Sequence, residues 1–205
     1  MATMPTSTAR RANGGTAAKI LDVAERLVQS RGYNGFSYAD VAEELGITKA
    51  SLHYHFAGKA ELGEALIKRY AERFINSLRE IDKDGGNAAS KLDAYAELYA
   101  GVIRKRRMCL CGMLAADVDT LPSALRDAVR AFFDENETWL EHVLEQGKQE
   151  RELRYEGRAR DQAQFIIGAL EGAMLVARPY RDAERFEASA RRLLSTLAVS
   201  QTASR

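Results

Sequence analysis

Proline occurs at only three positions, Pro5, Pro122 and Pro179, so from Thr6 to Leu121 only glycine interrupts a helix. Long segments carry the helical period. Ala17, Ile20, Leu21, Ala24, Leu27 and Val28 recur at three- and four-residue steps, whereas no segment sustains the strict alternation of a strand. The chain therefore reads as all-α. Helices are expected over 16–31, 37–45, 48–56, 59–81, 92–103, 110–117, 123–151, 158–177 and 183–199, with Gly32, Gly46 and the Gly85-Gly86 pair as punctuation.

Composition narrows the classes. At 205 residues the chain makes one large domain or two small ones. Thirty Lys and Arg against 29 Asp and Glu leave a net charge of +1, so nothing global argues for a polyanionic partner. The longest uncharged stretch, Leu193 to Ser204, is half polar and too short to cross a bilayer. No apolar run follows Met4, so a secretory signal is not expected. The two cysteines, Cys109 and Cys111, are too close for a disulfide and too few for a thiolate zinc site, which favours a reducing cytoplasmic setting. His53 and His55 point in different directions on a helix, so no metal is expected, and no cofactor motif is present.

The segment from Phe36 to Phe56 carries the most chemistry. Ser37 with Asp40 has capping-box spacing, and Phe36 with Val41 has that of a hydrophobic staple, so a helix starts at Ser37. It stops at Gly46, which takes a left-handed turn readily, and Thr48 then caps a second helix. Two short helices joined by a tight glycine turn form a helix-turn-helix. In that motif the N-terminal part of the second helix meets base edges in the major groove. Leu52 and Phe56 must face inward, which leaves Lys49, Ala50, Ser51 and His53 for bases. Ser37, Thr48, Tyr54, His55 and Lys59 suit phosphate oxygens, and Arg10 and Arg11, on a flexible arm, suit the minor groove. Residues 1–60 hold seven basic and five acidic side chains, and Asp22, Glu25, Glu43 and Glu44 are expected on outer helix faces.

Leu52-His53-Tyr54-His55-Phe56 followed by Lys59, Leu62, Ala65 and Leu66 resembles the DNA-binding domain of the TetR/AcrR family of transcriptional repressors. The resemblance covers roughly residues 16–66. It implies a three-helix N-terminal domain, a long fourth helix, and a larger helical bundle that binds a small effector and forms a homodimer through its last two long helices. The expected division is an arm at 1–15, a helix-turn-helix domain at 16–60, and a ligand-binding and dimerisation domain at 61–205. Operator release by the effector is likewise implied by the resemblance.

In the C-terminal half, Tyr95, Tyr99, Met108, Cys109, Met113, Phe132, Phe133, Trp139 and Phe165 supply the aromatic and sulfur surface from which a pocket would be lined, favouring an apolar, aromatic or electrophilic effector. Cys109 and Cys111, at a helix start beside Arg104 to Arg107, also admit a thiol sensor with lowered pKa. A helical enzyme with a cysteine nucleophile lacks a base, so no enzyme is expected. The segment around Phe165, Ile166, Ala169, Gly172, Ala173 and Val176 is apolar nearly all round, and with Leu194 and Leu197 it reads as a dimer interface.

Overall fold

The computed structural model describes the backbone of residues 7–199 and the side chains of residues 15–199. Among them run nine α-helices: α1 Ser7–Arg31, α2 Tyr38–Leu45, α3 Lys49–His55, α4 Lys59–Asp84, α5 Ala88–Ile103, α6 Leu110–Ala116, α7 Ser123–Gln149, α8 Ala159–Ala177 and α9 Ala183–Ser195. Single 3₁₀ turns follow α6, at Val118–Thr120, and α8, at Arg178–Tyr180. Helix α1 starts at Ser7 instead of near residue 16, so Arg10 and Arg11 stand on helical backbone; their side chains lie outside the described residues.

The first three helices fold through local chemistry. At Ser37 both halves of the capping box form: the hydroxyl accepts the Asp40 N–H at 3.3 Å, and the Asp40 carboxylate accepts the Ser37 N–H at 2.6 Å. Helix α2 ends at Gly46, at φ 63° and ψ 32°, where the Ile47 N–H reaches the Ala42 carbonyl at 3.0 Å. Thr48 caps α3 by accepting the Ser51 N–H at 3.1 Å. A Cβ on Gly46 would meet nothing within 4 Å, so Gly46→Ala carries only the left-handed backbone cost. It is expected to destabilise the fold by about 1–2 kcal/mol, read as a shift of the urea midpoint.

Long-range pairs hold these helices to the rest. Arg69 of α4 donates to Asp22 at 2.8 Å and to Glu25 at 2.9 Å, and Arg73 also pairs with Glu25. Glu25 is thus buried between α1 and α4 and is not on an outer face; two guanidiniums compensate its desolvation. Gly63 of α4 lets Leu125 of α7 approach so closely that a Cβ would stand 2.7 Å from its methyl.

In the C-terminal bundle α7 packs along α8, α8 along α9, α4 along α7 and α5 along α9. One core runs without a break from Ile20 to Leu197. Helix α9 ends at Ser195, four residues before the expected Val199, because the chain turns to pair with the end of α7. The Arg154 N–H donates to the Leu197 carbonyl at 2.8 Å and the Val199 N–H to the Glu152 carbonyl at 3.2 Å. No helix among the described residues is long and apolar enough to cross a membrane.

Candidate DNA interface and effector chamber

Leu52 and Phe56 face the core, and the Tyr38 hydroxyl donates to the Phe56 carbonyl at 3.1 Å, fixing α3 against α2. Burial, with Glu61 and Tyr33 nearby, pushes that hydroxyl up to about 12, so it stays protonated as a donor. This anchoring leaves Lys49, Ala50, His53 and Tyr54 on one exposed face of α3, while Ser51 and His55 sit half-buried on its flank. Tyr54 is 76% exposed, the most accessible large apolar side chain among the described residues. The His53 ring rests 4.9 Å from Tyr38 with Nδ1 3.1 Å from the Ala57 carbonyl, so its orientation is set before any ligand arrives.

Two residues expected at phosphates are engaged within the protein. The Lys59 ammonium donates to the Phe36 carbonyl at 2.6 Å and lies over the rings of Tyr33 and Phe36, at 4.6 and 4.4 Å from their centroids. Partial burial lowers its pKa. It clamps the start of α4 onto the first domain instead of standing free at the surface. The Ser37 hydroxyl donates to Asp40 at 2.6 Å, and these bonds to Ser37 hold the Asp40 carboxyl below its ordinary range. Thr48 uses its oxygen lone pair for the cap, which leaves its proton to donate.

A second constellation lies inside the bundle. Phe74 of α4 meets Phe132, Tyr95 and Tyr99 edge-on at 5.2, 6.0 and 6.0 Å, Tyr70 lies 5.7 Å from Phe132, and Trp139 stacks on Tyr95 at 5.6 Å. Polar atoms within it are paired: the Tyr95 hydroxyl donates to Asn136 Oδ1 at 3.1 Å, and Asn136 Nδ2 donates to the Phe132 carbonyl at 2.7 Å. Burial raises the pKa of Tyr70, Tyr95 and Tyr99, so all three remain neutral hydroxyls. Outside, Trp139 helps to line a groove of about 460 Å³ between α4 and α7, and its Nε1 donates to Asp82 at 2.9 Å.

Of the expected pocket residues, Tyr95, Tyr99, Met108, Cys109 and Phe132 are buried, and Phe133 and Trp139 pack against the core. Phe165 does not join them: it is 59% exposed on the far side of α8. Met113 lies at the domain junction, where its sulfur accepts from Arg178 at 3.4 Å. Tyr70, Phe74 and Glu171 were not foreseen. The two rings extend the helical apolar stripe of α4, and Glu171 is the single acid in the apolar run from Phe165 to Ala177, so the signals were present.

Glu171 alters the reading of the cysteines. Its carboxylate lies against Gly112, where any Cβ would collide with it, and its Oε1 is buried without a partner. Burial pushes its pKa up to about 7, offset in part by a hydrogen bond from Cys109. Burial followed by the nearby Glu171 charge raises both thiols well above their ordinary value. The basic cluster does not lower them, because Arg104 turns away to pair with Glu97 and Glu187 and both sulfurs are enclosed. The premise of an activated thiolate therefore fails.

Besides the Arg69 and Arg73 pairs with α1, further hydrogen bonds join the two regions. The Met108 N–H donates to the Gln29 carbonyl at 3.1 Å, Tyr33 N–H to Asp117 at 2.8 Å, Asn34 to Thr120 at 2.7 Å, and Arg178 Nη2 to the Ser30 carbonyl at 2.5 Å. The last turn of α1 is thereby tied to α6 and to the turn after α8.

Of the expected dimer residues, Ile166, Leu194 and Leu197 are buried in the protein's own core, because α8 and α9 use those positions against α7 and the Leu153 loop. The outward face of α8 carries Phe165, Gly172 and Val176, with Ala169 and Ala173 half-buried and Leu175 exposed beside them.

Comparison with known proteins places this geometry. Residues 20–66 match the family described as bacterial regulatory proteins, tetR family, and residues 88–193 match the tetracyclin repressor-like C-terminal domain. A TetR-family transcriptional regulator from Agrobacterium tumefaciens is 34% identical, with a TM-score of 0.88 over 91% of this chain and all of that one. A TetR regulator from Legionella pneumophila is 30% identical, with a TM-score of 0.80 over 96% of this chain and all of that one. The transcriptional repressor NemR of Escherichia coli is 26% identical over 90% of this chain and 96% of its own length. The chain belongs to the TetR family of DNA-binding transcriptional regulators.

Proposed function

We propose that the protein is a repressor that acts in the cytoplasm, binds a palindromic operator as a homodimer and is released by a small apolar or aromatic effector. Residues 16–60 form the DNA-binding unit in this reading and residues 61–205 the effector and dimer unit. The observation that carries it is the single outward face of α3, where Lys49, Ala50, His53 and Tyr54 stand together on a helix capped at Thr48. Lys49 donates to guanine or to phosphate, Ala50 meets a thymine methyl, and Tyr54, which shares the face with Ala50, reaches a base or the adjoining backbone. Two such helices must stand about 34–36 Å apart, or a multiple of that, to enter successive major grooves.

In this reading the effector lodges among Phe74, Tyr95, Tyr99 and Phe132, beside the groove that Trp139 helps to line, with Glu171 Oε1 as a polar atom free to receive a donor in the same interior. This supports an aromatic effector bearing a hydrogen-bond donor over an electrophile, since Cys109 and Cys111 are held as buried thiols. The same burial removes support from a cysteine-nucleophile enzyme.

Fluorescence anisotropy against the DNA upstream of the protein's own gene tests the operator reading. Tighter binding there than to random DNA, falling steeply with salt, is the expected result. Lys49→Ala is expected to weaken that binding by about 1–3 kcal/mol per half-site while the melting temperature holds. Equal affinity for both DNAs at every salt concentration would overturn the proposal.

A further inference from the structure

The basic run that closes α5 has no role in the operator or effector reading, yet the fold gives it a defined place. Arg106 and Arg107 line one wall of a cleft of about 300 Å³, and Arg178 and Arg181 line the other. Among the described residues Arg106, Arg107, Arg178 and Arg181 make no ion pair. The neighbouring Arg104 shows the contrast, paired with both Glu97 and Glu187. The one carboxylate in the cleft, Asp182, is already committed to capping α9, accepting the N–H groups of Glu184 and Arg185 at 3.0 and 3.3 Å. Apolar Ile103, Met108 and Ala177 complete the lining, and the Arg178 guanidinium at its edge is held by the Ser30 carbonyl and the Met113 sulfur.

The backbone holds this arrangement against its own preference. Arg106 at φ 57° and Arg181 at φ 52° are two of the three non-glycine residues with left-handed φ among those described, and both line the cleft. Each carries a steric cost of about 1–2 kcal/mol that glycine would avoid. The cleft is also coupled to the DNA-binding unit from both walls. Met108, next to Arg107, donates its N–H to the Gln29 carbonyl, and Arg178 donates to the carbonyl of Ser30, the next residue in the last turn of α1.

We propose that this cleft is a second ligand site, for a small phosphate-bearing anion with two or more charges, and that its occupation shifts operator affinity through α1. The planar donors of arginine suit phosphate oxygens, and the cleft is lined by four arginines against the single carboxylate of Asp182. An anion that recruits Arg178 competes with the Ser30 carbonyl for its guanidinium. It thereby loosens or re-aims the end of the helix that leads through Gly32 into α2. The site itself does not depend on the operator reading; only its coupling does.

Inorganic pyrophosphate is the probe, titrated into the full chain by calorimetry at ionic strength matched with sodium chloride. Saturable binding is expected in the parent, weakened at least about tenfold in Arg106→Gly/Arg181→Gly, which removes two guanidiniums while relieving the left-handed backbone. Saturating pyrophosphate is expected to change operator affinity by roughly 5–150-fold in the parent and not in the double variant. Heat no greater than that of chloride, or binding unchanged in the variant, would overturn the site. Binding without any change in operator affinity would overturn the coupling. If the variant loses operator affinity with no pyrophosphate present and its salt dependence becomes shallower, the guanidiniums serve DNA phosphates and the small-anion proposal is wrong. The binding arm stands even if the protein prefers no DNA, which keeps the two readings separable.

Discussion

Replacing Phe165 and Val176 together with aspartate is expected to convert the protein into a folded monomer that no longer holds its operator. The outward face of α8 presents Phe165, Leu175 and Val176 at 59%, 60% and 58% exposure, while a Cβ on Gly168 or Gly172 would meet nothing within 4 Å. Those open glycines let a second backbone approach closely along the stripe. The opposite face of the same helix, Ile166, Ile167, Leu170 and Met174, is buried against the protein's own core. The two faces are therefore separable by mutation. In a two-fold interface each exposed side chain counts twice, and at about 1.5–3 kcal/mol per fully buried side chain these three residues contribute on the order of 10 kcal/mol of gross burial. Four unpaired aspartates at that surface reverse the sign. Helicity by circular dichroism should stay at the parental level, sedimentation should report a single subunit, and operator affinity should fall about 10²–10⁴-fold as the second half-site becomes an independent event. A dimer that survives the double substitution would place the interface elsewhere.

The same helix shows what a sequence can and cannot reveal. Its apolar excess was legible. Which side the protein's own core covers was not, because Ile166 and Phe165 are equally apolar and differ only in whether α7 and α9 lie over them. Leu194 and Leu197 went the same way: both fill the core, and α9 breaks off early so that the chain carrying Leu197 can pair with the residues after α7. At the other end of the chain, the capping box at Ser37, the turn at Gly46 and the cap at Thr48 form as expected because each depends on residues within five positions. Lys59 and Glu25 defied expectation for the converse reason. Their partners, the Phe36 carbonyl and Arg69, lie 23 and 44 residues away, beyond any periodicity. Inside the bundle the rings of α5 and α7 are expected from the sequence to lie together, but the α4 rings Tyr70 and Phe74 read as part of the linking helix. The fold packs that helix against the rings of α5 and α7.

Glu171→Gln is expected to stabilise the protein at and above neutral pH and to leave it nearly unchanged in acid. In the folded chain burial raises the carboxyl to about 7, against an ordinary value near 4.5 in the unfolded chain. Between those two values the folded state binds a proton that the unfolded state has released. The contribution of Glu171 is therefore fully present below pH 4.5 and is lost as pH rises toward 7. At about 1.4 kcal/mol per pH unit the loss is on the order of 3 kcal/mol. The amide carries no charge at any pH and keeps the shape that fits against Gly112, so subtracting the variant's urea stability from the parent's at each pH isolates this one group. The difference should be small at pH 4.5 and grow in the variant's favour to pH 7–8; parallel curves would show that water or a polar partner already satisfies the carboxylate. An effector that donates a hydrogen bond or a positive charge to Glu171 adds a ligand arm to the same experiment. It should raise the parent's stability more at pH 8, where the carboxylate is charged and its Oε1 has no other partner, than at pH 5, and the glutamine variant should lose that difference.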